Sequence, residues 1–485
     1  MESVFYSKGK RVLKHILNLY RQSLLYKSFG MMFSTIGSLM INSVIVGWLS
    51  SNDQLKNSLE NRKLFSFKSE ASKSFIRNFL AGSRFLTIFS DKSVLFPLIF
   101  LNVFLYPFTP TAIGIIFSTG LCALMLINAT IHQNFRKKSR LIVFTTLIFL
   151  AYLLLSLFFN DIRSDGVLIF ITYTSILLFT AFITVTINDD KNAMILIHMI
   201  ASTVLAVSLY GLYQVYAGAP VDPSWLDESL TGNVIRIYSV FGNPNVFGEF
   251  LTLTLPIVFA GLNLNRNKII RIVYGITFLL GMFNVLLTFS RGSMLALLIV
   301  MVLIVVFKDR KYLPLLVLML LVSPLILPSS IIERILTIFQ GGDTSTSYRV
   351  SIYMASYDML KEHVFTGVGL GNFKVLYNAY AYTSAKSFHA HNTILMIWIE
   401  LGFMGLLAWI YMMFVWIREI FSSQKIDSTW SYYAFAAFAG VMGCTLQGMV
   451  DHIWHNYDIL FFYFLMVALG FIVSNIAKGQ TNDEK

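Results

Sequence analysis

The sequence predicts an all-α, polytopic membrane protein with about 12 transmembrane helices. Of its 485 residues, 56% are hydrophobic and only 13% are charged, whereas soluble domains carry about 25% charged residues. The mean hydropathy is +0.68. A spanning helix needs roughly 20 mostly apolar residues, and the chain offers twelve such runs. These observations exclude a soluble fold, a disordered chain and a scaffold held by disulfides.

The apolar runs follow one another from residue 93 almost to the C-terminus, with two long gaps. They lie near 93–109, 111–128, 141–159, 166–187, 193–217, 246–262, 269–288, 291–307, 312–327, 392–417, 431–450 and 458–476. The gaps, at about 218–245 and 328–391, are predicted to be long loops on one face of the membrane. Within the second loop, SYRVSIYMASYDMLKE predicts an amphipathic helix and TGVGLGNF predicts a glycine-rich turn.

The basic residues between the runs predict the orientation, because cytoplasmic connections are enriched in Lys and Arg. With the N-terminus inside, the short outside connections carry only Arg163, Arg236 and Arg291. The inside connections carry Arg136, Lys137, Lys138, Arg140, Lys191, Arg266, Lys268, Arg271, Lys308, Arg310, Lys311, Arg418 and Lys425. Both long loops then face the extracytoplasmic side of a multi-pass protein of the cell membrane.

Three parts of the chain differ in composition. Residues 1–92 hold 14 Lys and Arg against 5 Asp and Glu, and are predicted to be a basic cytoplasmic or interfacial extension. Residues 93–476 form the predicted transmembrane domain, with 328–391 as its long extracytoplasmic loop. Residues 477–485 are a predicted cytoplasmic tail. No aromatic-interleaved basic stripe accompanies the charge, so nucleic acid is not an expected partner.

His391 is the first candidate for chemistry, since it lies where the long outside loop enters the tenth apolar run. An imidazole at the water boundary can take a proton from a hydroxyl. The alternative is an interfacial histidine with a structural hydrogen bond. Gly402 and Gly405, further along this run, are small residues about one helical turn apart, and small residues more often serve helix packing than catalysis.

Two arginines are predicted on the same face. Arg291 begins the eighth run directly after a tight hairpin, where the helix dipole disfavours a cation unless an anion shares the site. Arg236 precedes GNPN, a turn signal before the sixth run, with Asn245 as a plausible cap. The alternatives are an arginine that reaches lipid headgroups and a solvated loop arginine.

Two weaker motifs remain. GVGLGNF lacks the strand and helix of a nucleotide-binding fingerprint, and a tight loop is the better interpretation. DHIWHNYD brings together Asp451, His452, His455 and Asp458, which could hold a divalent metal or form an ordinary polar cluster at the interface.

In these residues the sequence resembles the O-antigen ligase and O-antigen (polysaccharide) polymerase superfamily of bacterial membrane glycosyltransferases. The family marker is His, then Asn, Ser or Gln, nine residues, and Gly-x-x-Gly. Here it is complete in His391, Asn392, Gly402 and Gly405. RIYSVFGNPN, TFSRGSMLAL and GVGLGNF resemble further family blocks, and the resemblance extends over about 93–476.

The resemblance implies a polyprenyl-diphosphate-linked glycan as donor and a glycan or other hydroxyl-bearing acceptor. The reaction takes place at the outer face of the cytoplasmic membrane, within membrane lipid, with inversion and without a metal or other cofactor. His391 would be the general base, and Arg236 and Arg291 would hold the donor diphosphate. Arg349 and Glu400 lie in matching blocks and are further candidates for substrate binding.

Within this family we favour a polymerase over a ligase, because a composition rich in Lys, Asn, Ile and Phe suits a low-GC, Gram-positive host without lipopolysaccharide. The alternative from another class is a transporter, such as a flippase of lipid-linked glycans. A flippase needs charged groups midway along its spans, whereas the ionisable residues here cluster at span ends. A membrane scaffold is a third class, and it would not need the His–Asn–Gly–Gly marker beside two outward arginines.

Overall fold

In the part of the chain that it describes, the computed structural model contains helices joined by turns and loops, and no strand. It describes residues 78–132, 140–158, 165–218, 236–326, 329, 331–332, 344–382, 387–426 and 428–483. Most of the basic extension 1–92 therefore lies outside the described residues. The α-helices are α1 Arg84–Ser90, α2 Lys92–Leu105, α3 Thr111–His132, α4 Arg140–Ser156, α5 Gly166–Thr186, α6 Asp190–Ala217, α7 Pro244–Leu264, α8 Lys268–Leu287, α9 Arg291–Phe307, α10 Leu313–Ile326, α11 Thr344–Glu362, α12 Phe373–Tyr380, α13 Thr393–Ser423, α14 Thr429–Gln447 and α15 Tyr457–Asp483.

The chain divides into two compact units. The first comprises Met1–Ile88 and Thr130–Leu141, and the second comprises Phe89–Ala129 and Ile142–Lys485. The second unit contains every residue of the candidate site described below.

The predicted count of twelve spans is not confirmed. A helix coincides with each predicted run. Within the described residues, however, seven helices are long and apolar enough to cross a membrane, or eight if the bent pair Arg84–Ser90 and Lys92–Phe108 counts as one span. The shortfall comes from length and polarity. At 1.5 Å per residue, α10 with its 14 residues is about 21 Å long, less than the roughly 30 Å hydrocarbon core. Helix α14 contains Ser, Tyr, Thr and Gln residues that lower its hydropathy.

Burial separates a central helix from peripheral ones. In α15, 94% of the most apolar stretch is buried, against 28% in α8. Beyond the basic Lys268 and Arg271 at its start, α8 exposes large apolar side chains, as Ile269, Ile276 and Leu279 illustrate. A helix that exposes such side chains requires an apolar surrounding. The bundle is thus a membrane fold with α15 at its centre and α8 at its lipid-facing edge.

The connections predicted to be cytoplasmic meet at one end of the bundle. Trp430 Nε1 donates to Asp190 Oδ2 at 3.3 Å, and the Tyr432 hydroxyl donates to Asp309. Ser428 is the N-cap of α14 and forms a reciprocal capping box with Ser431. The opposite end therefore collects the starts of α7, α9 and α13, which carry the predicted site residues.

The segment predicted as a long loop contains two helices, α11 and α12. The helix predicted from SYRVSIYMASYDMLKE is confirmed as α11. It packs with α12 and the start of α13 around a second apolar cluster that includes Ile352, Phe373, Tyr377 and Ile399. The described part of this region is thereby a small packed layer against the end of the bundle that carries the predicted site.

Candidate functional site

The turn after α14, residues Gly448–His452, is the meeting point of three segments. Thr393 N donates to Gly448 O at 2.6 Å, and Asn392 Nδ2 donates to Met449 O at 3.0 Å. The side chain of Asn392 also caps α13, since its Oδ1 accepts from Leu395 N at 2.9 Å. The Asn of the family marker therefore both starts its helix and holds that helix start against the turn.

His391 and Asp451 form the centre of the site. His391 Nδ1 lies 3.1 Å from Asp451 Oδ1, and each side chain is about one-fifth exposed. The same Oδ1 accepts from His452 N at 2.8 Å, which fixes the carboxylate. His391 has a φ of 46°, an uncommon conformation for a residue with a side chain that is often found at functional sites.

The charge state of Asp451 defines the tautomer of His391. Burial opposes ionisation of the carboxyl, but the hydrogen bond from His391 and the nearby positive charges outweigh it, so the pKa of Asp451 lies well below its usual range. An ionised carboxylate only accepts hydrogen bonds, so His391 Nδ1 carries the proton. In the neutral form of this imidazole Nε2 has the lone pair, and no described residue forms a hydrogen bond with Nε2.

Three further histidines surround this pair. The ring of His389 lies 4.2 Å from that of His391, 4.7 Å from that of His455 and 5.6 Å from that of His452, centroid to centroid. Burial, followed by the neighbouring His391, lowers the pKa of His389 to about 3. Burial is also the largest cause that lowers the pKa values of His452 and His455. These three rings are therefore neutral at physiological pH.

Helix α11 presents a polar face to the same place. The Tyr353 hydroxyl donates to His391 O at 3.0 Å, and the ring of Tyr348 lies 6.0 Å from the ring of His391. Arg349 is one helical turn before Tyr353, and its positive charge contributes to the low pKa of Asp451. Arg349 Nε is buried without a hydrogen-bond partner among the described residues.

Arg236 and Arg291 lie at a neighbouring hairpin. Arg236 is buried, its Nε donates to Thr288 O at 2.9 Å and its Nη2 donates to Asn245 Oδ1 at 3.1 Å. Thr288 ends α8, three residues before Arg291 begins α9. The predicted cap Asn245 is instead in the first turn of α7, where Asn243 is the capping residue.

The start of α9 packs against the end of α14. Gln447 Nε2 donates to Ser293 Oγ at 2.8 Å, and Gly292 faces the side chains of Gln447 and Val450. Ser290 forms no side-chain cap for α9. The α9 start and the His391 segment thus lie on two sides of one stretch, residues 447–451, which brings Arg291 into the neighbourhood of the predicted base.

The glycine-rich turn and Glu400 have a different position. Val368 N donates to Ile399 O at 2.7 Å, and Gly371 N donates to Glu400 Oε1 at 2.9 Å. Gly402 interrupts α13 with a φ of 70°, and a Cβ there would lie 2.1 Å from Phe365 O. Gly402, the first marker glycine, therefore permits a kink at which two backbone segments touch. The sequence had predicted only a role in helix packing for this residue.

The structure thus groups the predicted residues in three places. His391, Asn392 and Arg349 meet at the Gly448–His452 turn, Arg236 and Arg291 meet at the α8–α9 hairpin, and Glu400, Gly402 and Gly405 lie near the kink of α13. The metal-compatible group also differs from the sequence hypothesis. The ligand atoms of His389, His391 and Asp451 lie within 4.8 Å of one another.

Sequence reasoning missed the partner of His391 and one buried acid. The sequence indicates Asp451 only as part of the motif DHIWHNYD, and Asp451 lies 60 residues from His391 along the chain. Glu249 is 2% exposed in α7, and the sequence signal for it was a lone carboxylate in an apolar run. No local spacing connects either residue with His391.

Fold and site together define a multi-pass helical membrane protein with a His–Asp pair at the end of the bundle where three helices start. The family described as O-antigen ligase matches residues 276–410. That stretch contains Arg291, Arg349, His391 and Glu400, as well as both marker glycines. The match confirms the resemblance to the O-antigen ligase and polymerase superfamily. No curated protein matches the chain.

Proposed function

We propose that the protein is a membrane glycosyltransferase that transfers or polymerises a polyprenyl-diphosphate-linked glycan onto an acceptor hydroxyl at the outer face of the cytoplasmic membrane. The observation that carries the proposal is the 3.1 Å contact between His391 Nδ1 and Asp451 Oδ1. A carboxylate that orients an imidazole and stabilises its protonated form is the arrangement of a general base. The family match supports the reaction class.

The acceptor hydroxyl loses its proton to His391 Nε2, which carries the lone pair. The acceptor oxygen forms a bond with the anomeric carbon of the donor, and the bond from that carbon to the diphosphate oxygen breaks. The leaving group is the polyprenyl diphosphate. Attack opposite to the leaving group inverts the anomeric centre, and the protonated His391 is stabilised by the negative charge of Asp451.

The leaving diphosphate needs positive charge at fixed positions. Arg236 and Arg291 provide it at the α8–α9 hairpin, where Ser290, the residue before α9, forms no side-chain cap. A helix N-terminus and the forked guanidinium group are both suited to phosphate oxygens. Arg349, whose buried Nε has no hydrogen-bond partner among the described residues, is a third cation for substrate. The proposed reaction therefore needs neither a nucleotide sugar nor a metal ion.

Glu400 is better suited to holding the glycine-rich turn than to touching substrate, because it accepts from Gly371 N. The positions of the intramembrane acids also favour transfer over a flippase. Glu249 is the sixth residue of α7 and Glu400 the eighth residue of α13, which places them about 8 and 11 Å from their helix starts. A transport path would have its ionisable groups nearer the middle of the spans. Between the two activities we favour the polymerase, on the composition stated above.

The test is in vitro transfer with purified lipid-linked donor in nanodiscs, with donor binding measured in parallel. We expect His391→Ala to lower turnover by about 10²–10⁴-fold with donor binding retained, because the diphosphate is held by other groups. His389→Ala is the matched control and has a mild effect. Normal turnover in His391→Ala, or a dead His389→Ala variant, contradicts the assignment of the base. Loss of both binding and turnover in His391→Ala assigns the histidine a structural or donor-binding role instead.

A further inference from the structure

The His–Asp pair is part of a larger group of metal-binding side chains. His389, His391 and Asp451 offer ligand atoms that all lie within 4.8 Å of one another, and all three are partly exposed. The 3.1 Å between His391 Nδ1 and Asp451 Oδ1 is close to one edge of a zinc tetrahedron, because two bonds of about 2.1 Å at the tetrahedral angle separate their ligands by about 3.4 Å. A small shift of His389 completes three ligands.

The ligand types select the kind of ion. Two imidazoles and one carboxylate suit Zn²⁺, whereas Mg²⁺ prefers an oxygen-only shell with several waters. Partial exposure of all three residues gives an ion a route of entry and leaves the fourth position for water.

We propose that this group binds Zn²⁺ through His389, His391 and Asp451, and that the bound zinc switches off transfer. The inference rests on the proposed role of His391 as the base. Zinc takes the place of the proton on His391 Nδ1. A neutral imidazole keeps one proton, so that proton moves through solvent to Nε2. Nε2 then has no lone pair and cannot accept the proton of the acceptor hydroxyl.

The variant that separates zinc binding from catalysis is His389→Asn. In the structure His389 Nδ1 accepts from His391 N at 3.3 Å, and the Oδ1 of an asparagine at position 389 can accept in the same place. The substitution therefore removes a zinc ligand and preserves the backbone hydrogen bond. His363→Asn is the matched control, since His363 follows the last residue of α11 and is outside the ligand group.

The experiment uses the full-length protein in nanodiscs after removal of metals. Zn²⁺ binding is measured by competition with a chromophoric chelator, and transfer is measured at the same free zinc concentrations. We expect one zinc per chain in the wild type and in His363→Asn, with transfer falling as the site fills. In His389→Asn we expect zinc affinity to fall by at least about tenfold, transfer without zinc to stay within a few-fold of wild type, and inhibition to need correspondingly more zinc. Mg²⁺ at the same concentrations has no effect.

Three results overturn the inference: no saturable zinc binding, binding that His389→Asn does not weaken, and zinc binding without loss of transfer. The binding readout does not depend on turnover. A protein that binds zinc through His389 but transfers no glycan therefore contradicts the proposed function and upholds the metal site, so the two failures are distinguishable.

Discussion

Replacing Asp451 with asparagine removes its negative charge and little else. The carboxylate Oδ1 accepts both from His452 N at 2.8 Å and from His391 Nδ1 at 3.1 Å. In Asp451→Asn the amide oxygen can occupy the same place, because the backbone N–H of His452 needs an acceptor there. The tautomer of His391 is then preserved, and the variant isolates the electrostatic stabilisation of the protonated base.

The size of that stabilisation follows from the 3.1 Å separation. Two unit charges at this distance interact by about 5 kcal/mol at an effective dielectric constant of 20 and by about 1.3 kcal/mol in water. Both side chains are about one-fifth exposed, so an intermediate value of about 3 kcal/mol applies. Since about 1.4 kcal/mol corresponds to a factor of ten, we expect Asp451→Asn to lower kcat by about 100-fold.

The assay is the nanodisc transfer reaction, with kcat and donor Kd determined separately. Donor binding should be unchanged or tighter in Asp451→Asn, because the variant removes a negative charge near the bound diphosphate. Asp358→Asn is the matched control, since Asp358 pairs with Lys361 on the exposed face of α11, and it should transfer normally. A kcat within threefold of wild type in Asp451→Asn refutes the reasoning, as does a loss of transfer that weaker donor binding explains completely.

Three further predictions concern the arginines, the kink and the orientation. Arg236→Lys and Arg291→Lys should each lose about 10–100-fold in transfer while the protein still inserts, because Lys keeps the charge but not the forked geometry; near-normal glycan synthesis in both would leave headgroup contact as the better explanation. Gly402→Ala should lower the free energy of unfolding in detergent by at least about 1–2 kcal/mol, because of its φ of 70° and the adjacent Phe365 O. Gly120→Ala should be neutral or stabilising, because no atom of the described residues beyond its own helix backbone lies within 4 Å of a Cβ there. Equal stability of the two variants would contradict this account of the kink. A single cysteine at Phe388, a residue that is 68% exposed, should react with an impermeant thiol reagent in intact spheroplasts; labelling only after permeabilisation would reverse the predicted orientation.

Much of the site could be predicted because its residues belong to short motifs. His391 and Asn392 precede an apolar run directly, so their place at a helix start follows from the hydropathy pattern. Arg291 is likewise adjacent to the start of its run. The count of twelve spans could not be obtained in the same way. An apolar run predicts a helix well. Whether that helix crosses a membrane depends on its exact length and polarity, which the imprecise ends of the apolar runs do not define.

The glycines illustrate the limit of local patterns. Gly402 and Gly405 are small residues three positions apart, and this spacing indicates nothing about conformation. The positive φ of Gly402 arises because Phe403 N donates to Val364 O at 2.9 Å, a hydrogen bond to a segment that the sequence predicted as a loop. The family marker predicts a glycine at position 402. The physical reason why this position needs a glycine is its contact with a second segment of the chain.

The sequence by itself determined the class of protein and the helices, and it singled out the candidate residues His391, Arg236 and Arg291. These follow from hydropathy, from the distribution of Lys and Arg, and from motifs whose residues are neighbours along the chain. Only the tertiary structure decided which partner each residue has. Asp451 reaches His391 across 60 residues, and Thr288 reaches Arg236 across 52. Such pairs form where helices that are distant in sequence pack side by side, and the packing depends on the shapes of all the side chains between them, which no local spacing encodes.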